Sequence, residues 1–383
     1  MRETRKLTEN DYEQSLELSQ YAFQYTVAEA DKPKRKESLK RHEVWGEFEQ
    51  GALTSKVHVL SFTIFLGETE MKMGGVAGVA TWPEYRRNGS VSRLLSISLQ
   101  SMKDKGQVIS FLHPFDIDFY RRFGWELCFS QKKYEIEKAN LHLMEATPGT
   151  IKRVTVKEDL DTLNRMYEGY AKNYNGMLKR DSYWWENHVY STGFQFAVYF
   201  NEKNEANGYV FYKISDNIMD VQEFIYANGE ARRGLWNFIC QHDSMVDKVK
   251  MLVSEDEGFN YLLKNPKVKI ENVPYFMARI VDVEGFLNQY HFLKTDERLV
   301  LHIRDDRAVW NNRSFQIEDG AVTEVSLEYR GITVDIHSLT ALLIGSQTAM
   351  FLYEAGKLLG TPNDILVLER MIQKRPTSIL DFF

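Results

Sequence analysis

The sequence predicts a mixed α/β and α+β protein built in three units, the first two alike in plan. Three observations carry that expectation. A short apolar strand, a basic glycine turn and an amphipathic helix follow one another from Val76 to Gly106. After Thr147-Pro148-Gly149 the chain restarts with a strand and a helix that echo residues 3–25 in charge and period, as an internal duplication does. Beyond Ile280 the pattern changes to short alternating strands followed by helices.

In the first unit, residues 3–8 read as a strand, and Thr8 or Asn10 caps a helix from Asp11 to about Tyr25. Residues 27–50 are charged, with the run Lys32-Pro33-Lys34-Arg35-Lys36, and read as an exposed loop and helix face. Val57–Leu66 and Met71–Thr81 form a strand pair turned at Gly67-Glu68. Pro83 closes the second strand because proline has no N–H to give a ladder. The turn Arg86-Arg87-Asn88-Gly89-Ser90 opens a helix that buries Val91, Leu94, Leu95, Leu99 and Met102, and Gly106 stops it. Val108–Leu112 reads as a short buried parallel strand. A splayed pair between it and the strand starting at Val76 would open a slot. A short helix over Asp116–Phe123 follows.

In the second unit, Ile151–Val156 reads as a strand, Glu158–Tyr170 as a helix and 194–200 with 208–214 as a hairpin. A strand over Val221–Tyr226 and a helix over Ala231–Val246 complete it. The turn before that last helix has two arginines, Arg232 and Arg233, but Glu230 brings negative charge where a phosphate would sit. In the third unit, strands are expected at 299–303, 309–310, 314–317, 322–327 and 331–336, and helices at 338–343, 346–355 and 364–372.

Composition narrows the function. Of 383 residues, 43% are hydrophobic and 13% aromatic, which supports a sizeable core and excludes a disordered chain. A net charge of −6 argues against a nucleic-acid surface and suits a cationic substrate. Cys128 and Cys240 stand far apart and read as reduced thiols of a cytoplasmic protein. The start, MRETRKLTEND, is too charged for a signal peptide, and no 18-residue apolar run occurs, so no membrane partner is expected. The histidines are scattered without H-x-x-x-H or C-x-x-C spacing, so no metal is expected.

A strand feeding a glycine turn at a helix N-terminus presents several free N–H groups at one point, with the helix dipole behind them. Such a site binds phosphate. Arg86 and Arg87 add full charges, and Gly89 allows close backbone approach. The alternative is a solvated Arg-Arg turn that only caps a helix.

At this point the chain resembles a known family. V-x-T-x-P-x-x-R-R-x-G, from Val79 to Gly89, before a Leu-rich helix is similar to the acetyl-CoA pyrophosphate loop of the GNAT N-acetyltransferases. In their Q/R-x-x-G-x-G/A pattern Arg86 and Gly89 match the first and fourth positions, and Val91 departs at the sixth. Phe119-Tyr120-Arg121-Arg122-Phe123-Gly124-Trp125 matches the F-Y-x-x-x-G-F/W signature. Over nearly its full length the chain resembles the Eis-like (enhanced intracellular survival) branch.

The resemblance implies a catalytic GNAT domain over 1–148, a degenerate GNAT-like domain over 149–282 and a sterol carrier protein-like domain over 283–383. It implies acetyl transfer from acetyl-CoA to a primary amine by direct attack, the acceptor being an aminoglycoside- or polyamine-like cation or lysine. Val79, Ala80 and Thr81 would pair with the pantetheine, and Arg86, Arg87, Asn88, Gly89 and Ser90 would hold the pyrophosphate. Tyr120 would be the general acid, since a phenol with pKa about 10 stays protonated at neutral pH. The Phe383 α-carboxylate would be the general base. Glu29, Asp31, Trp45 and Phe382 are acceptor-binding candidates, Phe382 standing where the family often has an acidic residue. His113 follows a strand end, where ligands often sit. Related proteins form hexamers, so a homo-oligomer is expected. A non-catalytic acetyl-CoA sensor and a hydrophobic-ligand carrier using the C-terminal unit remain as other readings.

Overall fold

The computed structural model describes residues 2–190 and 193–383. The first lobe runs β1 (Arg2–Lys6), α1 (Tyr12–Phe23), α2 (Lys32–Leu39), β2 (His42–Glu49), β3 (Ala52–Leu66), β4 (Thr69–Thr81), α3 (Ser90–Asp104), β5 (Ile109–Leu112), α4 (Ile117–Arg121), β6 (Glu126–Leu127) and β7 (Ser130–Glu137). The second runs β8 (Thr150–Val154), α5 (Val156–Ala171), β9 (Asn175–Leu178), α6 (Ser182–Trp184), β10 (Gln195–Phe200), β11 (Ala206–Ser215), β12 (Ile218–Tyr226), α7 (Gly229–Cys240), β13 (Lys248–Ser254), β14 (Lys269–Pro274) and β15 (Met277–Ile280). The third comprises α8 (Val283–Leu287), β16 (Arg298–Arg304), β17 (Ser314–Glu318), β18 (Ala321–Val325), β19 (Ile332–Asp335), α9 (Ile336–Ile344), α10 (Ala349–Glu354), β20 (Leu358–Leu359) and α11 (Pro362–Met371).

The first two sheets share one plan. The first is ordered β1-β2-β3-β4-β5-β15-β6, with β9 against β3, and the second β8-β10-β11-β12-β13-β7-β14. Position by position, the parallel pair β4–β5 corresponds to the parallel pair β12–β13. Next to each pair sits a strand donated by the other half of the chain. β15 closes the second lobe's stretch of chain yet pairs with β5 and β6, while β7 closes the first lobe's stretch yet lies between β13 and β14. The two lobes therefore exchange strands, and a cut at residue 148 separates the first sheet from β9 and β15 and the second from β7. The third unit's sheet, β18-β17-β16-β19-β20, stands alone.

The largest apolar cluster runs without a break from Leu60, Met71 and Phe111 of the first lobe to Leu339, Leu343 and Val367 of the third unit. Every residue of α9 apart from His337 is buried, so this helix spends its apolar surface on packing against its neighbours, β15 among them.

Several elements differ from the sequence expectation. Residues 42–49 form strand β2, not an exposed loop: Val44 and Phe48 are buried, while Glu43 and Glu47 reach across to α3. The basic run is helix α2, with Pro33 in its first turn, where a missing N–H is harmless. Residues 309–311 make a 3₁₀ turn instead of a strand, and α7 ends at Cys240 instead of Val246.

Candidate active site

Strands β4 and β5 pair in parallel only from Met73↔Ile109 to Gly75↔Phe111. Beyond that point β5 stays with β15, while β4 runs on alone past a bulge opposite Val57, between the pairs His58↔Ala77 and Lys56↔Ala80. The β5-facing edge of Val76–Thr81, which includes Val79, Ala80 and Thr81, thus has no strand partner among the described residues, and a slot opens between the parted strands. The Thr81 side chain is used elsewhere, its hydroxyl 2.7 Å from that of Ser55.

The turn after β4 delivers the chain to α3. Arg87 (φ 64°) and Gly89 (φ 76°) both adopt left-handed backbone, which only the glycine does without strain. The result is six consecutive backbone N–H groups, residues 87–92, that donate to no acceptor among the described residues; the first helical bond is Arg93 N–H to the Gly89 carbonyl at 3.1 Å. Arg86 and Arg87 are exposed and form no ion pair among the described residues. Asn88 is exposed beside them, and its carbonyl accepts from Arg93 at 3.0 Å. This is a donor-only cradle at the positive end of a helix dipole, and its chemistry suits a pyrophosphate.

Ser90 does not offer its hydroxyl to that cradle. It is buried and donates to Glu47 Oε1 at 2.7 Å, leaving only its backbone N–H. Glu47, which sequence reasoning missed, also accepts from Arg93 Nε and Nη2, both at 2.9 Å, and so ties the first turn of α3 to β2.

Tyr120 lies on α4, buried among Phe115, Phe119 and Trp125 and in the apolar cluster that holds Val76, Leu94 and Leu95. Its hydroxyl makes no hydrogen bond among the described residues, and burial raises its pKa above the ordinary phenol value. It stays protonated at neutral pH.

The Phe383 ring lies over the last paired residue of the parted strands. A Cβ on Gly75 would come within 2.7 Å of both Phe383 and Phe62, so only glycine admits the tail here. Phe62, Leu60 and His58 share this face of the sheet, opposite Met73, Gly75 and Ala77. Trp45 does not. It pairs with Val57, packs with the residues under α3, and donates to Glu43 at 2.8 Å, so it belongs to the other face. Glu29 and Asp31 are exposed on the turn before α2, and Glu29 is paired with Lys32 at 2.7 Å. Phe382 is 62% exposed, its ring 5.1 Å from that of His113 at the end of β5.

The tail is held by a buried network that the sequence did not announce. Arg180, just after β9, donates to Asp381 at 2.9 Å and to Glu223 at 2.6 Å. Trp184 Nε1 and Tyr167 Oη also donate to Asp381, and Tyr209 Oη to Glu223. Tyr275 Oη donates to the Asp381 carbonyl at 3.0 Å.

Two cavities flank Trp184. One of about 400 Å³ is walled by Trp184, Val189, Phe194, Phe211, Leu380 and Phe382, over the Arg180 network. The larger, about 760 Å³, carries mixed charges and reaches Lys105. That residue is at the far end of α3, about 22 Å from the cradle at 1.5 Å per residue. In the second lobe the corresponding helix start is closed: the Asn228 side chain accepts from Ala231 N–H, and Glu230 accepts from Tyr199.

Among the described residues no helix is long and apolar enough to cross a membrane, and no group of three or more His, Cys, Asp or Glu side chains could hold a metal.

Comparison with known proteins places this geometry. The acetyltransferase (GNAT) domain matches residues 3–128 and, in a second form, 176–280; the sterol carrier protein domain matches 283–380. An N-acetyltransferase of Streptomyces avermitilis is 22% identical over 320 residues, 76% of each chain. A probable N-acyltransferase of Enterococcus faecalis V583 is 25% identical with a TM-score of 0.95, each chain covered in full. Eis1 of Mycobacterium abscessus, 20% identical and also covered in full, has the same fold with a TM-score of 0.83. The chain belongs to the GNAT acyltransferases, with two acetyltransferase domains in tandem, a sterol carrier protein domain after them, and the Eis-like arrangement of all three.

Proposed function

We propose that this protein transfers an acetyl group from acetyl-CoA to a primary amine by direct attack. The observation that carries the reading is the cradle at residues 87–92, six N–H groups that meet no acceptor and two arginines that form no ion pair among the described residues, set at the mouth of the slot between β4 and β5. Bound acetyl-CoA supplies an acetyl thioester. Arg86, Arg87 and the N–H groups of Asn88, Gly89 and Ser90 hold its phosphates, and the free edge of Val79–Thr81 orients the arm that follows. Tyr120 Oη keeps a proton at the inner end of the slot and donates it toward charge developing on the leaving sulfur. The Phe383 α-carboxylate orients the amine and accepts its proton. A terminal carboxyl has a reference pKa of about 3.3–3.7, so most of its effect comes from holding the nucleophile in line. The third unit forms a wall behind this tail. The family's habit of assembling as hexamers extends to this chain as part of the same proposal.

The test is thiol release from acetyl-CoA against a panel of amines, with Tyr120→Phe and a chain lacking Phe383 alongside. Each variant is expected to lose about 10²-fold or more in kcat, the scale of one general acid or base. Acetyl-CoA binding should persist in Tyr120→Phe, because the lost hydroxyl has no protein partner. Unchanged rates in both variants would sink the mechanism.

A further inference from the structure

The buried network on the acceptor side of the slot is more nearly neutral than its residue types suggest. Asp381 and Glu223 lie under the smaller cavity, but neither is free. Arg180 bonds both, and the remaining partners, Trp184, Tyr167 and Tyr209, are all donors. Formal charge sums to a single negative unit on three buried groups. Above them aromatic and aliphatic side chains share the walls with Asn187 and Gln222. Trp184 stacks flat on His188 at 3.9 Å and 5°, and Phe62, in the wall of the larger cavity, meets it at 4.9 Å. Burial lowers the His188 pKa, so that ring adds no cationic charge at neutral pH. Phe382, largely exposed, stands between this cavity and His113 at the parted strand ends.

A large aromatic ring left in water beside a cavity with aromatic walls is surface waiting to be covered. The cavity, at about 400 Å³, is of the size that encloses a small ligand. A monoamine's one charge is received by the Phe383 α-carboxylate of the reading above. A polycation would set its further charges against arene walls, where Asp381 and Glu223 are already bonded.

We infer that the acceptor is an arylalkylamine, a monoamine whose aromatic body fills the cavity between Trp184 and Phe382, and not a polycation; this rests on the acetyl-transfer reading above. The ring packs on Phe382 and Trp184, and the ammonium points to the slot past His113.

The test measures kcat/KM for 2-phenylethylamine and for spermidine with the full chain and with Phe382→Glu. Wild type is expected to favour 2-phenylethylamine by at least about 10-fold, the value of burying one ring. Phe382→Glu should narrow or invert that ratio, and its exposed site tolerates the change. A wild-type preference for spermidine overturns the inference while leaving acetyl transfer intact. If neither amine turns over although acetyl-CoA raises the melting temperature, the acetyl-transfer reading falls. Calorimetry of both amines on the CoA complex then decides the cavity separately: tighter 2-phenylethylamine binding supports it, and tighter spermidine binding refutes it.

Discussion

Lys56 is fully buried on β3, its ammonium 2.6–2.8 Å from the Ser15 carbonyl and the hydroxyls of Ser15 and Ser19 on α1. Desolvation lowers its pKa to about 7, against about 10.4 in an unfolded chain. Between those values the unfolded state binds the proton and the folded state does not, so this group makes stability rise with pH. Denaturant midpoints measured from pH 7 to 9.5 should climb in the wild type, and Lys56→Met should climb less. Equal slopes would mean that Lys56 keeps its charge when folded. The same scale shows what a sequence hides. Nothing in the local pattern around Arg180 or Asp381 indicates that they meet, because their partnership spans about two hundred residues. The neutralisation of Asp381 by Arg180 is visible only in three dimensions.

At the scale of the element, the turn before α3 sets function against strain. Arg87 occupies left-handed backbone, which costs a non-glycine residue about 1–2 kcal/mol. Arg87→Gly removes that strain and adds chain entropy to the unfolded state, two effects of similar size. Stability should therefore stay within about 1 kcal/mol, read from urea midpoints, while acetyl-CoA affinity falls about 10-fold for the lost phosphate contact, about 1.4 kcal/mol. A large stability loss with unchanged affinity would show that Arg87 serves the fold and not the ligand. This element was legible from sequence because all its signals are local: apolar strand, proline stop, glycine turn and helical spacing. Strand β2 was not, because Glu43 and Glu47 make it read as a continuation of the charged run before it. Their carboxylates look solvated in sequence but bond residues of α3. Trp45 was misread for the same reason, since the face it occupies depends on the strand's existence and register.

At the scale of the molecule, the duplication was legible in the repeated strand-helix start, but the strand exchange was not. β15 is four residues long and β7 is largely polar, so neither stands out in a single sequence. Their placement depends on which sheet edge each one completes. Ile109–Leu112 is buried throughout because β15 covers its outer edge. A fragment comprising residues 1–148 lacks that cover and leaves β7 with no sheet to join. An apolar strand edge opened in this way promotes association. The fragment alone is expected to be insoluble or loosely folded by near-UV circular dichroism. Expressed together with residues 149–383, it should regain an acetyl-CoA-dependent rise in melting temperature. A soluble, cooperatively unfolding 1–148 fragment that binds acetyl-CoA unaided would show that the exchange is dispensable. Failure of both preparations would place the requirement in chain continuity. The expected result makes the tail, the exchanged strands and the third unit parts of one cooperative body, in which the slot between β4 and β5 exists only when all three units have folded.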